Sequence, residues 1–313
     1  MWQRINDLVN KHTIFSAFLL SAFFTAILTL VGLPTMQGTM EQNIGIPIML
    51  VYQIALAAIG ILFMKKLKVL DKSDFKLKNA GKGLLFGWIV FVLAIILVLS
   101  NYSNRSEYFI TPEPLFLLTV LLFPFSTALL EETVYRGLVL KVLIKNMADT
   151  KKGMIVSFIV AVVLFAAVHS IHLIWTDPVE VVADVIFATA GATLFGAIYL
   201  RTKTLIATIL LHGFMNLSGG IFIAFTSPEY TVPQATVSDI ATMLIVALPL
   251  LILSFFLLRK VELGGNQMAP TIVNESILVL RLSDLSEKHW NLRGAVVYSR
   301  KSRRRPRNDR SRD

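Results

Sequence analysis

The chain has 313 residues, of which 55% are hydrophobic and 16% charged, and its mean hydropathy is +0.68. This is too apolar for a water-soluble globular domain. The absence of cysteine excludes disulfides, thiolate metal sites and a cysteine nucleophile. The formal charge of +10 would suit a nucleic-acid binder, but its distribution argues otherwise, and no nucleic-acid partner is expected.

Eight segments have about the length and apolarity needed to cross a hydrocarbon core of about 30 Å as helices. They fall near 14–33, 46–64, 84–100, 115–140, 154–172, 180–200, 204–226 and 239–258. The fold class expected is therefore all-α, a polytopic membrane protein of about eight transmembrane helices with a four-helix catalytic core. Arg4 and Lys11 before the first run resemble a signal peptide, but no clear cleavage site follows LVGLPT, so it reads as a retained helix. Seven Lys lie between the second and third spans, and Lys141, Lys145, Lys151 and Lys152 flank the fourth connection. Arg201 and Lys203 form the sixth, and thirteen of the 30 Lys and Arg lie from Arg259 onward. The first, third, fifth and seventh connections hold only Arg105. This alternation predicts a multi-pass membrane protein with both termini cytoplasmic.

Three regions follow: residues 1–113 as an N-terminal three-helix membrane region, 114–259 as the membrane catalytic core with the last span, and 260–313 as a basic cytoplasmic tail. The lysine-rich loop 65–82 is expected against anionic lipid headgroups. In the sixth span Ala188, Ala190, Gly191, Ala192 and Gly196 suit close helix packing. The tail holds two short β-prone stretches and ends in RRRPRNDRSRD, too charged to pack and expected to be disordered in part.

Charged groups at membrane depth are costly and persist where they have partners or a task. Glu131 and Glu132 end the apolar run 115–130, and Arg136 follows. Glu132 and Arg136, four apart, share a helix face and can pair. Glu131 is rotated about 100° away. This leaves Glu132 and Arg136 as structural support and Glu131 as the carboxylate free to take a proton from water. The alternative, two acids serving packing or ion conduction, is about as good for the Glu pair alone. His212 and Asn216 project together from the seventh span, and His169 ends FAAVH on the fifth. His172 reads as an interfacial residue without a role. Counted at about 1.5 Å per residue, Glu131 lies roughly 15 Å above Lys141 and His212 roughly 13 Å above Lys203. His169 comes out deeper, roughly 25 Å above Lys152. The depths of Glu131 and His212 point to a cavity open to the cytoplasm.

These residues resemble the pattern of the CPBP intramembrane proteases, the CAAX prenyl endopeptidase and Abi family. That pattern is EExxxR, FxxxH and HxxxN on three separate helices. Here it is met by Glu131, Glu132 and Arg136, by Phe165 and His169, and by His212 and Asn216. The resemblance covers about residues 115–220. It implies an endopeptidase in which Glu131 activates water, His169 helps to hold it, and His212 and Asn216 stabilise the oxyanion. The implied location is a bacterial-type plasma membrane, and the implied substrate is a membrane-associated peptide or protein, in a setting of bacteriocin processing or self-immunity. The chemistry leaves a metal open: Glu131, His169 and His212 could bind Zn²⁺ with a vacant position, and the same groups serve equally in a metal-free glutamate protease. Two rival readings are a non-catalytic membrane immunity or adaptor protein and, more weakly, an ion-coupled transporter.

Overall fold

The computed structural model describes residues 2–36, 40–227, 229–231 and 233–261. The β-prone stretches and charged end of the tail lie outside the described residues. The chain opens with α1 (Trp2–Lys11), α2 (Thr13–Met36), α3 (Gln42–Lys66), α4 (Ala80–Phe86) and α5 (Trp88–Arg105). Then α6 (Pro114–Glu132) runs through π-helical turns (Thr133–Leu140) directly into α7 (Lys141–Met147). The rest is α8 (Lys151–His169), α9 (Pro178–Thr202), α10 (Leu205–Gly220) and α11 (Val237–Leu258). Among the described residues eight helical stretches are long and apolar enough to cross a membrane, so the molecule is an all-α polytopic membrane protein. Among the described residues no strand forms, and a single antiparallel bridge joins Phe109 to Thr226.

Helix starts follow local chemistry. Glu113 accepts from the Phe116 amide at 2.7 Å with Pro114 at the first position, and Asp177 caps α9 the same way ahead of Pro178. Thr150 and Thr204 cap α8 and α10 with their hydroxyls. Each such cap satisfies an amide that the first helical turn leaves open.

Packing places α6 between α3 and α10, while α9 lies against both α8 and α11. The short residues of α9 allow this: Ala188, Ala190 and Ala192 are buried, and α9 is the most buried of the spans. α2 lies along α3 and α8. On the π turns, a Cβ on Gly137 would stand 2.8 Å from Met64 Sδ of α3, so a methyl there would push that flexible side chain aside.

The helical stretch that holds the fourth span continues to Met147. Lys141 lies within it, buried and 2.6 Å from the fully buried Asp74. Tyr199 donates its hydroxyl to the other Asp74 oxygen at 2.9 Å, and the Asp74 carbonyl accepts from the Leu205 amide at 2.7 Å. Asp74 thus pins the lysine-rich connection beneath α7, α9 and α10. Around it, Asp71 is held below the usual carboxylate range because the Ser73 hydroxyl and amide donate to it. Lys203, at a left-handed φ of 57°, has its ammonium pKa lowered by burial and by nearby Lys141.

Candidate active site

Glu131 and Glu132 sit on the last turn of α6, where the hydrogen-bond pattern widens into π-helix. Such turns are frequent at functional positions. The two acids have different surroundings. Glu132 is fully buried and lies 2.9 Å from Arg136. The same Oε1 receives the Nδ1–H of His212 at 2.9 Å. Glu131 keeps 19% of its side chain exposed, and its Oε2 is 3.5 Å from His212 Nε2. His212 is thus suspended between the two carboxylates, one at each ring nitrogen. With Arg136 in place, the four groups sum to zero charge when both acids are ionised and the imidazole carries both protons.

Phe165 organises this cluster. Its ring touches Tyr135 edge-on with centroids 4.9 Å apart, and it packs against His169 at 4.9 Å and His212 at 6.2 Å. The Arg136 guanidinium lies over it at 4.6 Å. From α9, Phe195 stacks on His212 at 5.2 Å, and the Ala192 carbonyl accepts from Arg136 Nη2 at 3.3 Å.

Glu131 and His169 line one cavity of about 100 Å³, walled by Phe24, Thr25, Leu28 and Thr29 of α2 and by the turn holding His172 and Trp175. His169 Nδ1 lies 2.9 Å from the Phe165 carbonyl. That bond fixes the tautomer with Nδ1–H donating, so Nε2 keeps its lone pair. The depth mismatch of His169 disappears once Met147 replaces Lys141 as the reference. Glu131 stands 16 residues before Met147 and His169 18 after Lys151, roughly 24 and 27 Å.

The same extension corrects the expected opening of the cavity. Toward the lysine-rich face Glu131 is followed by a plug in which Leu138, Val139, Leu140, Val142 and Leu143 are buried. The cavity instead reaches the turn that follows α8, at the opposite end of the bundle. His172, read from sequence as an interfacial residue, lines the Glu131 cavity and lies 3.2 Å from Asp184 of α9.

Asn216 is placed differently from the other expected residues. It borders a separate, mostly apolar cavity of about 390 Å³ with Val120, Phe123, Pro124 and Thr127 of α6. It therefore lies one turn along the α6–α10 seam from His212. The α2 wall, Tyr135, Asp184 and Asp74 were not singled out from sequence; the two acids alone carried a signal, each being a charge next to an apolar helix.

Among the described residues no three His, Asp or Glu side chains converge closely enough to hold a metal ion. Glu131 and His169 line one cavity, and His212 is not part of its lining. The residues present do not fit the two-imidazole, one-carboxylate zinc site that the sequence left open.

No curated protein and no solved structure matches the chain. A family model does: that of the type II CAAX prenyl endopeptidase Rce1-like proteins matches residues 113–218. The match begins at the cap of α6 and ends just past Asn216, so it takes in every residue of the cluster around Phe165. Over this stretch, about a third of the chain, the protein is similar to the type II CAAX prenyl endopeptidase Rce1-like family.

Proposed function

We propose that the protein is an endopeptidase in which Glu131 is the general base for water attack on a peptide bond of a membrane-associated substrate. The observation that carries this reading is the unequal pair: Glu132 is locked between Arg136 and His212, while its neighbour Glu131 lines a cavity with His169. In this reading a water sits between the Glu131 carboxylate and the His169 Nε2 lone pair. Glu131 takes one of its protons as the oxygen bonds to the carbonyl carbon. The resulting oxyanion is met by the Nε2–H of His212, a fixed donor in a site shielded from bulk water. Collapse breaks the C–N bond, and the leaving amine takes the proton back from Glu131. Asn216 becomes the second oxyanion donor when the peptide lies along the α6–α10 seam.

The position of the cavity bears on the setting. Under the charge alternation that predicts cytoplasmic termini, its mouth lies in the outer half of the bilayer. That suits a peptide crossing or leaving the membrane, as in bacteriocin processing or self-immunity.

The experiment is a comparison of membrane peptides from cells carrying the intact protein and cells carrying Glu131→Gln at equal level. Loss of general base catalysis costs about 10²–10⁴ in rate, so intact precursors should accumulate in the variant. Identical peptide patterns would sink the protease reading. Immunity retained in Glu131→Gln would favour a non-catalytic binder.

A further inference from the structure

We propose that His172, oriented by Asp184, is a further positioning residue of this site, hydrogen-bonding the backbone of the substrate at the cavity mouth. The inference rests on the endopeptidase reading and deepens it.

Asp184 lies in the second turn of α9, within a span. A carboxylate there is expensive unless it is partnered. Its partner is His172 Nδ1 at 3.2 Å, and the two side chains remain 36% and 35% exposed. A carboxylate at one ring nitrogen fixes the tautomer and the plane of an imidazole. Nδ1 is thereby occupied and Nε2 is left for a ligand. The ring stands among the groups that line the Glu131 cavity, 5.9 Å from His169 and 5.4 Å from Trp175 between centroids.

A peptide entering this cavity leaves water, and each backbone N–H or C=O that loses its hydrogen bond costs free energy. Phe24, Leu28 and Val168 offer such a peptide nothing polar. Besides the catalytic pair, the lining supplies the hydroxyls of Thr25, Thr29 and Tyr135, the indole N–H of Trp175 and the remaining nitrogen of His172; of these the Tyr135 and Thr25 hydroxyls already face each other at 3.3 Å, and Trp175 can only donate. With Nδ1–H given to Asp184, the neutral ring accepts from a peptide N–H next to the bond that Glu131 attacks. The role is geometric: it holds the carbonyl within reach of the water and exchanges no proton.

The test uses a quenched fluorescent copy of whichever membrane peptide accumulates intact in Glu131→Gln cells, with purified protein in proteoliposomes. His172→Phe keeps the ring and removes the acceptor. Its KM should rise about 3- to 10-fold, the worth of one hydrogen bond, with kcat held within about twofold. His172→Gln, which restores an acceptor, should recover part of the loss, and Asp184→Asn should raise KM by less than His172→Phe. Unchanged KM in His172→Phe, at wild-type folded yield, overturns the proposal and leaves the protease reading standing. If His172→Phe does not fold, Asp184→Asn decides: a KM unchanged from wild type overturns the proposal. If no peptide accumulates, or the intact protein cleaves none, both readings fall.

Discussion

Removing Arg136 is the most direct probe of how a charged cluster survives inside the bundle. In Arg136→Ala the fully buried Glu132 loses the guanidinium 2.9 Å away and keeps only His212. Breaking a buried ion pair by deleting one partner costs about 3–5 kcal/mol, because the other charge stays buried. The guanidinium also rests on Phe165 at 4.6 Å, a desolvated contact worth up to about 2 kcal/mol. A loss near 4 kcal/mol is a large share of the roughly 5–15 kcal/mol that holds a typical domain folded. It corresponds to a fall in Tm on the order of 10 °C. The assay is thermal unfolding of detergent-purified protein, with the yield of monodisperse protein beside it. The double variant Glu132→Gln/Arg136→Met should recover much of the loss, since it leaves no charge at either of the two buried positions. Wild-type Tm and yield in Arg136→Ala, with activity gone, would refute the structural assignment and move Arg136 into the chemistry.

Three further outcomes follow from the geometry. In Gly213→Ala the new methyl collides with the ring of Phe125, so α10 must shift beside His212; we expect a loss of about 1–3 kcal/mol in thermal unfolding, together with reduced activity. Asp74→Asn leaves the Lys141 ammonium buried without its carboxylate and should lower stability by about 3 kcal/mol. Activity per folded molecule should hold in that variant, because Glu131 stands roughly 15 Å along the helix. A topology reporter fused after Arg259 should be active in the cytoplasm, and activity only outside the cell would overturn the charge-based orientation and with it the outward position of the cavity.

Much of this arrangement was legible in the sequence because membrane burial makes charge conspicuous. Glu131, Glu132 and Arg136 stood out beside an apolar run, and their spacing foretold the pair that forms. The spans were readable from length and apolarity alone. What escaped depended on where a helix ends and on contacts between distant segments. Lys141 looked like a boundary because lysine usually is one, yet a carboxylate 67 residues earlier draws it inward. Counting Glu131 from Lys141 but His169 from Lys152 used references at different levels, since α7 continues to Met147, and this made His169 look too deep. His172 was passed over because its meaning lies in Asp184 on the next helix. Thr25 and Thr29 carry no charge and sit in a span without ionisable groups, so nothing local marked them as a wall of the site.

The π turns explain how so short a segment serves both charge burial and cavity shape. Tyr135 and Arg136 are consecutive, yet both meet the ring of Phe165, one edge-on and one over its face. Tyr135 also reaches α2, with its hydroxyl 3.1 Å from Ser21 Oγ and 3.3 Å from Thr25 Oγ1. The same turns place Gly137 against Met64 of α3. Widening the helix immediately after the two acids thus ties the first and second spans to the fifth around one aromatic ring. The first span is in this way more than a membrane anchor. It closes the side of the cavity that the core helices leave open, and it is fastened one residue away from the arginine that keeps Glu132 in place.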